Sequence, residues 1–118
     1  MARHNNTGKL GETLASAYLQ KNGYTILYTN WRYSHYEIDI IASLHDVLHF
    51  VEVKTRRSQK FGNPEESITI RKMEYLIDAA DAFLYEHAQW KRVQFDVLSL
   101  MLIKGKDPEY FFIEDVYL

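Results

Sequence analysis

Three carboxylates and one ammonium group occupy alternating positions of two neighbouring apolar segments in this 118-residue chain. Glu37 and Asp39 lie in the first segment, and Glu52 and Lys54 lie in the second. Both segments alternate polar with apolar residues, which is the period of a β-strand with one buried face. A two-residue turn at positions 45–46 would place Asp39 opposite Glu52 and Glu37 opposite Lys54. His-Asp is a poor sequence for such a turn compared with Asn-Gly, and a longer loop with a bulge is the alternative.

The predicted arrangement suits a divalent cation. Like charges directly opposite each other destabilise a sheet, and a cation between Asp39 and Glu52 would remove that repulsion. Mg²⁺ binds one or two carboxylates together with water and phosphate oxygens, and it can acidify water and neutralise a phosphoryl group. Lys54 would then hold or help to deprotonate an attacking water. The alternative is an ordinary strand pair with a solvated face and a cross-strand ion pair between Glu37 and Lys54.

The composition is that of one globular domain over residues 1–118, with 47% hydrophobic and 25% charged residues. The absence of cysteine excludes disulfides, thiolate zinc sites and a cysteine nucleophile. No apolar run is long enough for a membrane span or a signal peptide, so we expect a soluble, cytoplasmic protein with no membrane partner. The net charge of −2 gives no global argument for nucleic-acid binding, which must therefore rest on local charge.

Periodicity and turn residues predict the element order αβββαββ, an α/β or α+β domain with helices packed on a mixed sheet. Asn6 or Thr7 can cap the first helix after a frayed terminus, and Gly23 can end it. The predicted elements are a helix to about residue 22, a strand over 24–33, the two strands described above, a helix over about 68–87, and strands over 91–101 and 110–118.

Local positive charge follows the second strand of the pair. Four of the seven residues from 54 to 60 are basic, and Arg56, Arg57 and Lys60 could position a phosphate backbone. Lys72 lies near the start of the second helix, where it can face this loop. The alternative for each of these residues is an ordinary solvated surface.

Two further groups of residues are candidates at the edge of the site. Trp31, Tyr33 and Tyr36, together with Arg32, could stack on bases or contact phosphate, although aromatic residues in strands more often pack in the core. Glu12 lies at the margin of the apolar stripe of the first helix. From there its carboxylate can reach the site or point into water.

The pattern Glu37-x-Asp39 followed by Glu52-x-Lys54 resembles the PD-(D/E)XK motif of restriction-endonuclease-like nucleases, with Ile-Asp in place of Pro-Asp. More closely, the chain is similar to the YraN-type family of small bacterial proteins, over nearly its whole length to about residue 100. Tyr36 replaces a glycine that is usual in that family, which would narrow access to Glu37, and Gln94 replaces a usual arginine, which would remove a basic contact. The shared motifs are Gly8-x-x-Gly11-Glu12, Gly23-Tyr24, Asn30-Trp31-Arg32, Glu37-Ile38-Asp39-Ile40-Ile41-Ala42, Phe50-Val51-Glu52-Val53-Lys54-Thr55-Arg56, Phe61-Gly62-x-Pro64, Lys72 and Phe95-Asp96-Val97.

The resemblance implies a restriction-endonuclease-like core of order αβββαβ with a central mixed sheet, here followed by a C-terminal strand. The arrangement is also similar to that of archaeal Holliday-junction resolvases, in which a glutamate of the first helix joins the cluster. By this likeness Asp39 and Glu52 would bind Mg²⁺ or Mn²⁺ and Lys54 would handle the water. Glu12 and Glu37 would be auxiliary.

The expected activity is metal-dependent hydrolysis of phosphodiester bonds in DNA, most naturally branched or otherwise irregular DNA. A homodimer is a further expectation, because two sites could cut two strands. The first alternative is a non-catalytic nucleic-acid-binding or adaptor protein on a nuclease-like scaffold. The second is a structural partner with no nucleic acid at all.

Overall fold

The computed structural model describes residues 2–57 and 70–116. Their order is αβββαββ, as the sequence predicts. The elements are α1 (Ala2–Lys21), β1 (Thr25–Tyr33), β2 (Tyr36–Leu44), β3 (Val47–Arg56), α2 (Ile70–Glu86), β4 (Arg92–Met101) and β5 (Glu109–Ile113).

Helix α1 ends as predicted but begins earlier. It starts at Ala2, so the predicted frayed terminus and cap at Asn6 or Thr7 are wrong. Asn and Thr cost a helix interior less than about 1 kcal/mol each relative to Ala, so neither residue needs to interrupt it. At the other end Gly23 has φ 93°, and the N–H of Tyr24 bonds the carbonyl of Leu19 at 3.0 Å. This is the Schellman geometry that favours glycine.

The last strand is shorter than predicted. It ends at Ile113, not near residue 118. The chain turns away because Asp115 has φ 58° and the N–H of Val116 bonds the carbonyl of Phe95 at 2.8 Å. Residues 117–118 lie outside the described part of the chain.

The five strands form one mixed sheet in the order β1-β2-β3-β4-β5. β3 and β4 are parallel and are joined through α2, whereas the other pairs are antiparallel. A parallel pair needs a crossover of this kind, because the connection must bring the chain back to the end of the sheet at which the first strand began. β3 therefore lies at the centre of the sheet, with a strand on each side.

The β2–β3 turn has two residues, as the predicted register requires. Leu44 pairs with Val47, and both His45 (φ 51°) and Asp46 (φ 67°) have positive φ. These are the dihedrals of a type I′ turn, whose twist matches that of the strands even without the preferred Asn-Gly. The register continues to the pair formed by residues 40 and 51, so the predicted alignment of the two strands is confirmed.

The two helices cover opposite faces of the sheet. Ile41 of β2 belongs to the same buried cluster as Phe83 of α2, whereas its neighbour Ile40 belongs to the cluster that contains Leu19 of α1. Successive residues of a strand point to opposite faces, so the sheet lies between α1 and α2. Trp31 packs edge-on against Phe83 with ring centroids 5.3 Å apart, which confirms a core role for this aromatic residue.

Within the described residues, no helix is both long and apolar enough to span a bilayer.

Candidate active site at the carboxyl end of the central strand

Asp39 and Glu52 occupy the position that follows the last paired residues of β2 and β3. The pairing of the two strands ends at Ile40 opposite Val51, and beyond it the carboxylate of Asp39 lies within electrostatic reach of Glu52. The N–H of Val53 donates to Asp39 Oδ2 at 2.8 Å. Glu52 is 6% exposed, because β3 is the central strand and Val97 of β4 lies on its other side. The structure therefore brings both predicted metal ligands within electrostatic reach of each other.

Negative charge is concentrated around Asp39. Burial, reinforced by the neighbouring carboxylate of Glu52, raises the pKa of Asp39 from 3.8 to about 8. Smaller contributions to this rise come from the charges of Glu12 and Glu37, while the hydrogen bond from the Val53 N–H lowers the pKa by stabilising the ionised form. Asp39 consequently retains its proton at neutral pH in the protein alone. A cation at this position would relieve that repulsion.

Two ammonium groups contact one oxygen of Glu52. Lys54 Nζ lies 3.6 Å from Glu52 Oε2, and Lys72 Nζ contacts the same atom. Burial and the nearby Lys72 lower the pKa of Lys54 despite the opposing effect of Glu52. Burial has the largest single effect and lowers the pKa of Lys72, but its bond to Glu52, its contact with Lys54 and the charges of Glu52 and Asp39 together outweigh burial, so the net shift is upward. Lys72, predicted as a nucleic-acid contact, thus lies inside the carboxylate cluster, and Lys54 releases its proton more readily than an ordinary lysine.

The two auxiliary glutamates are held by residues of β1. Asn30 Nδ2 donates to Glu12 Oε1 at 3.0 Å. Glu37 Oε1 lies 3.3 Å from Arg32 Nη2, and Arg32 is its register partner on β1. The ion pair of Glu37 is therefore with Arg32 and that of Lys54 is with Glu52, so the cross-strand pair considered between Glu37 and Lys54 is wrong. The Arg32 side chain remains 73% exposed.

Gly11 explains how α1 brings Glu12 to the site. A Cβ atom at Gly11 would lie 1.8 Å from Thr55 Oγ1, a distance that no real contact reaches. Only glycine lets the helix approach the end of β3 this closely. The next residue, Glu12, is thereby placed within electrostatic reach of Asp39.

The predicted basic segment begins at the same end of β3. Arg56 is the last residue of β3 and is half-buried, whereas Arg57 follows it and is exposed. Both come after Lys54 on the strand that carries Glu52. Lys60 and the rest of the predicted loop, over residues 58–69, lie outside the described part of the chain.

The site offers a divalent cation two adjacent carboxylates. In the two described ranges, no three His, Asp or Glu side chains converge closely enough to hold an ion by themselves. Asp39 and Glu52 with water and phosphate oxygens do match the usual Mg²⁺ environment. The donor set therefore fits an ion whose coordination the substrate completes, not an ion caged entirely by protein.

Sequence reasoning missed a buried polar network on the α1 face. His49 Nδ1 lies 2.6 Å from Asp96 Oδ2, and both side chains are almost fully buried. Asp96 Oδ1 accepts from Gln94 Nε2 at 2.8 Å and from the N–H of Asp115 at 2.9 Å. Gln94 also donates to Glu114 Oε1 at 3.2 Å, so its amide serves this network. The available signal was a lone aspartate within the apolar run of β4.

Comparison with known proteins identifies relatives over most of the chain. The model of the uncharacterised protein family UPF0102 matches residues 11–100. A UPF0102 protein of Parabacteroides distasonis is 44% identical over 101 residues, covering 86% of this chain and 84% of the relative. That of Flavobacterium johnsoniae is 41% identical over 118 residues, covering 97% and 93% respectively. That of Rhodococcus opacus is 39% identical over 118 residues, covering 99% and 100%. None of these three names states an activity.

Proposed function

The chain belongs to the UPF0102 family, as its YraN-type motifs predict, and we propose that it is a metal-dependent nuclease. Its substrate would be the phosphodiester backbone of DNA, in branched, flapped or otherwise irregular structures. The observation that carries the proposal is the juxtaposition of Asp39, Glu52 and Lys54 on two neighbouring strands, beyond the point where their backbone pairing ends. This is a set of two carboxylates and one amine on interior strands of the sheet.

The electrostatics of the site favour a cation. Asp39 and Glu52 would hold Mg²⁺ or Mn²⁺, since burial and like charge at Asp39 remain only partly balanced by the lysines on Glu52. When bound, the ion supplies a Lewis acid that polarises the phosphoryl group and acidifies water. Within residues 2–57 and 70–116 no cluster of three such ligands forms, and Mg²⁺ commonly completes its coordination with water and phosphate oxygens.

Basic side chains of the protein would act together with the ion to position and neutralise the reacting groups. Lys54 Nζ, held beside Glu52, can orient the attacking water and donate to a phosphate oxygen as negative charge develops. Its lowered pKa also suits it to exchange a proton with that water. Arg32 and Arg57 project toward solvent from strand ends, where they can contact the phosphates of flanking nucleotides.

The topology is compatible with the same conclusion. The chain has a helix, three antiparallel strands, a crossover helix and a strand parallel to the third. By the resemblance of the sequence to archaeal Holliday-junction resolvases, Glu12 of α1 would join the carboxylate cluster. Fold alone does not establish activity, so the proposal rests on the site.

Cleavage of a small panel of DNA substrates tests the proposal. The panel contains linear duplex, single strand, flap and four-way junction, each incubated with Mn²⁺, with Mg²⁺ or with a chelator. We expect metal-dependent and structure-selective cutting by the wild type. Asp39→Asn should abolish it, because asparagine preserves the shape but cannot lose a proton to become a charged ligand of the cation. RNA counterparts of the same substrates establish which nucleic acid is preferred.

Asp46→Asn is the matched control. It makes the same chemical change in the same hairpin, at an exposed turn position whose positive φ asparagine tolerates. It should cut like the wild type. Metal-dependent cutting that persists in a clean preparation of Asp39→Asn would contradict the proposal that this site cleaves DNA.

A non-catalytic nucleic-acid-binding protein is the second candidate. It is favoured by one observation, that two lysines already contact Glu52 and so supply positive charge without a metal. Titration calorimetry with Mn²⁺, in the presence and absence of junction DNA, separates the two candidates. The nuclease requires binding that Asp39→Asn weakens, whereas the adaptor predicts DNA binding with no metal binding at all.

A further inference from the structure

Four aromatic residues gather where the β1–β2 hairpin meets α2. Tyr33 and Tyr36 form the pair that closes the hairpin, and His35 lies in the turn between them. The His35 ring centroid is 4.3 Å from that of Tyr36 and 6.2 Å from that of Tyr75, and the two tyrosine centroids are 5.4 Å apart. We call Tyr33, His35, Tyr36 and Tyr75 the hairpin-tip platform.

The platform presents ring surface to solvent. Tyr33 is 53% exposed and Tyr75 is 44% exposed. Tyr36 is partly buried and packs against the α2-side core, which fixes the cluster to the protein. Neighbouring rings restrain one another, so little conformational freedom is lost when a ligand stacks on them.

The platform shares two elements, β2 and α2, with the candidate active site. Tyr36 directly precedes Glu37 on β2, and Asp39 is on the same strand. On α2, Tyr75 follows Lys72 by three residues, which is a rise of only about 4.5 Å along the helix. The same two elements therefore carry both the carboxylate cluster and the aromatic surface.

The charged groups next to the platform include three carboxylates, together with the exposed Arg71, which precedes Tyr75 by one helical turn. Asp78 faces Tyr36 from α2, Glu37 is the next residue along β2, and Glu74 is exposed beside Tyr75. These carboxylates disfavour a phosphate on the rings themselves. The exposed Arg32 lies on the neighbouring strand, where it can meet the backbone of a nucleic acid whose base lies on the platform.

We propose that the hairpin-tip platform stacks an unpaired nucleobase of the nucleic acid whose backbone enters the adjacent carboxylate site. In a duplex both faces of each base are covered by its neighbours, so only an unpaired or displaced base can offer a face to these rings. This inference rests on the proposed function and deepens it. The preferred substrate would have an unpaired nucleotide close to the scissile phosphate, and Tyr36 would contribute directly to that preference.

Binding in the absence of metal tests the platform without relying on cleavage. Fluorescence anisotropy would compare a labelled single strand with the blunt duplex of the same sequence, in a chelating buffer. Tyr75→Leu keeps apolar bulk but removes the aromatic ring. We expect it to weaken single-strand binding about tenfold, the scale of losing one base–aromatic stack, and to leave duplex binding unchanged.

Tyr85→Leu is the matched control, because Tyr85 is on the same helix, is 89% exposed and lies outside the platform. It should bind like the wild type. His35→Ala provides a second variant at an exposed turn position and should also weaken single-strand binding selectively. Circular dichroism confirms that each variant is folded.

An abasic series locates the stacked base. A single abasic position is moved along the unpaired strand. At one position the wild type should bind the abasic strand more weakly than the intact strand. At that position Tyr75→Leu, which has already lost the stack, should bind both strands equally. Equal losses for single strand and duplex, or no loss in either platform variant, would overturn the inference, as would binding of neither DNA. Selective single-strand binding without cleavage would contradict the nuclease proposal but support the platform. Cleavage that Tyr75→Leu leaves unchanged would support the nuclease proposal and contradict the platform.

Discussion

The carboxylate of Asp39 accepts a hydrogen bond from the backbone N–H of Val53, at 2.8 Å. A side chain of β2 therefore reaches across to β3 where the regular pairing of the two strands ends. That bond orients the carboxylate toward the site and favours its ionised form, whereas burial and the surrounding glutamates favour the protonated form. Asp39 is thus held in position while its ionised form remains unfavourable.

The first prediction concerns stability and pH. The folded-state pKa of Asp39 is about 8 and its ordinary value is 3.8, so between these values the folded state binds a proton that the unfolded state lacks. The free energy of unfolding should therefore fall as pH rises from about 4 to about 8. Asp39→Asn should remove this loss and be more stable at pH 8 by on the order of 1 to 2 kcal/mol, after allowance for solvent screening. Urea titrations across pH measure the free energy of unfolding of the wild type, of Asp39→Asn and of the control Asp46→Asn. The same pH dependence in all three proteins would contradict the prediction.

The second prediction concerns Mn²⁺ and thermal unfolding. An ion that binds only the folded state should stabilise the wild type by about 2.7 kcal/mol at a hundredfold excess over its Kd. The effect should weaken below pH 8, because protons compete for Asp39. Asp39→Asn should show little of it. Calorimetric melting with and without Mn²⁺ provides the measurement, and an equal shift in the variant would place any bound ion elsewhere.

The third prediction concerns the shared oxygen of Glu52. Glu52→Gln leaves two half-buried ammonium groups without their carboxylate, and it should lower stability by about 1 to 2 kcal/mol. Lys72→Met in the Glu52→Gln protein should cost less than Lys72→Met in the wild type, because its contact with the Glu52 carboxylate has already been lost. A double-mutant cycle in urea should give a coupling energy of at least about 0.5 kcal/mol. Strict additivity would mean that the Lys72–Glu52 contact contributes nothing to stability.

The fourth prediction separates two glycines of α1. Gly11→Ala should destabilise the protein by about 1 to 3 kcal/mol, because its Cβ would overlap Thr55. Gly8→Ala makes the same change where nothing lies within 4 Å, and it should stabilise the helix by up to about 1 kcal/mol. Thr55→Ala should partly rescue Gly11→Ala. Equal effects of the two alanines on the urea midpoint would refute the close approach of α1 to β3.

The fifth prediction concerns the buried network. Asp96→Ala leaves His49, Gln94 and the Asp115 N–H without their acceptor, and it should cost about 3 to 5 kcal/mol. Asp107→Ala, at an exposed turn position, should change stability by less than about 0.5 kcal/mol. Chemical unfolding of both variants provides the comparison. A small effect at Asp96 would mean that water replaces the lost carboxylate.

Local patterns predicted the strands, their register and the positions of Asp39 and Glu52. Period-two alternation is a property of neighbouring residues, and a two-residue turn then fixes every cross-strand pair. The contacts of Glu52 with Lys72 and of His49 with Asp96 join residues on separate elements. They depend on how α2 and β4 dock, which alternation does not encode. The start of α1 was also missed, because helix propagation overrides the weak preferences of Asn6 and Thr7.

The crossover helix has a consequence for how the site is assembled. α2 carries the chain from β3 to the parallel strand β4, and it also carries Lys72 onto Glu52. The element that closes the topology of the sheet therefore supplies part of the charge balance of its central carboxylate. A chain in which α2 has not docked has a Glu52 that lacks the Lys72 contact. Docking of α2 on the sheet is therefore required for the charge balance of Glu52 that the folded protein has.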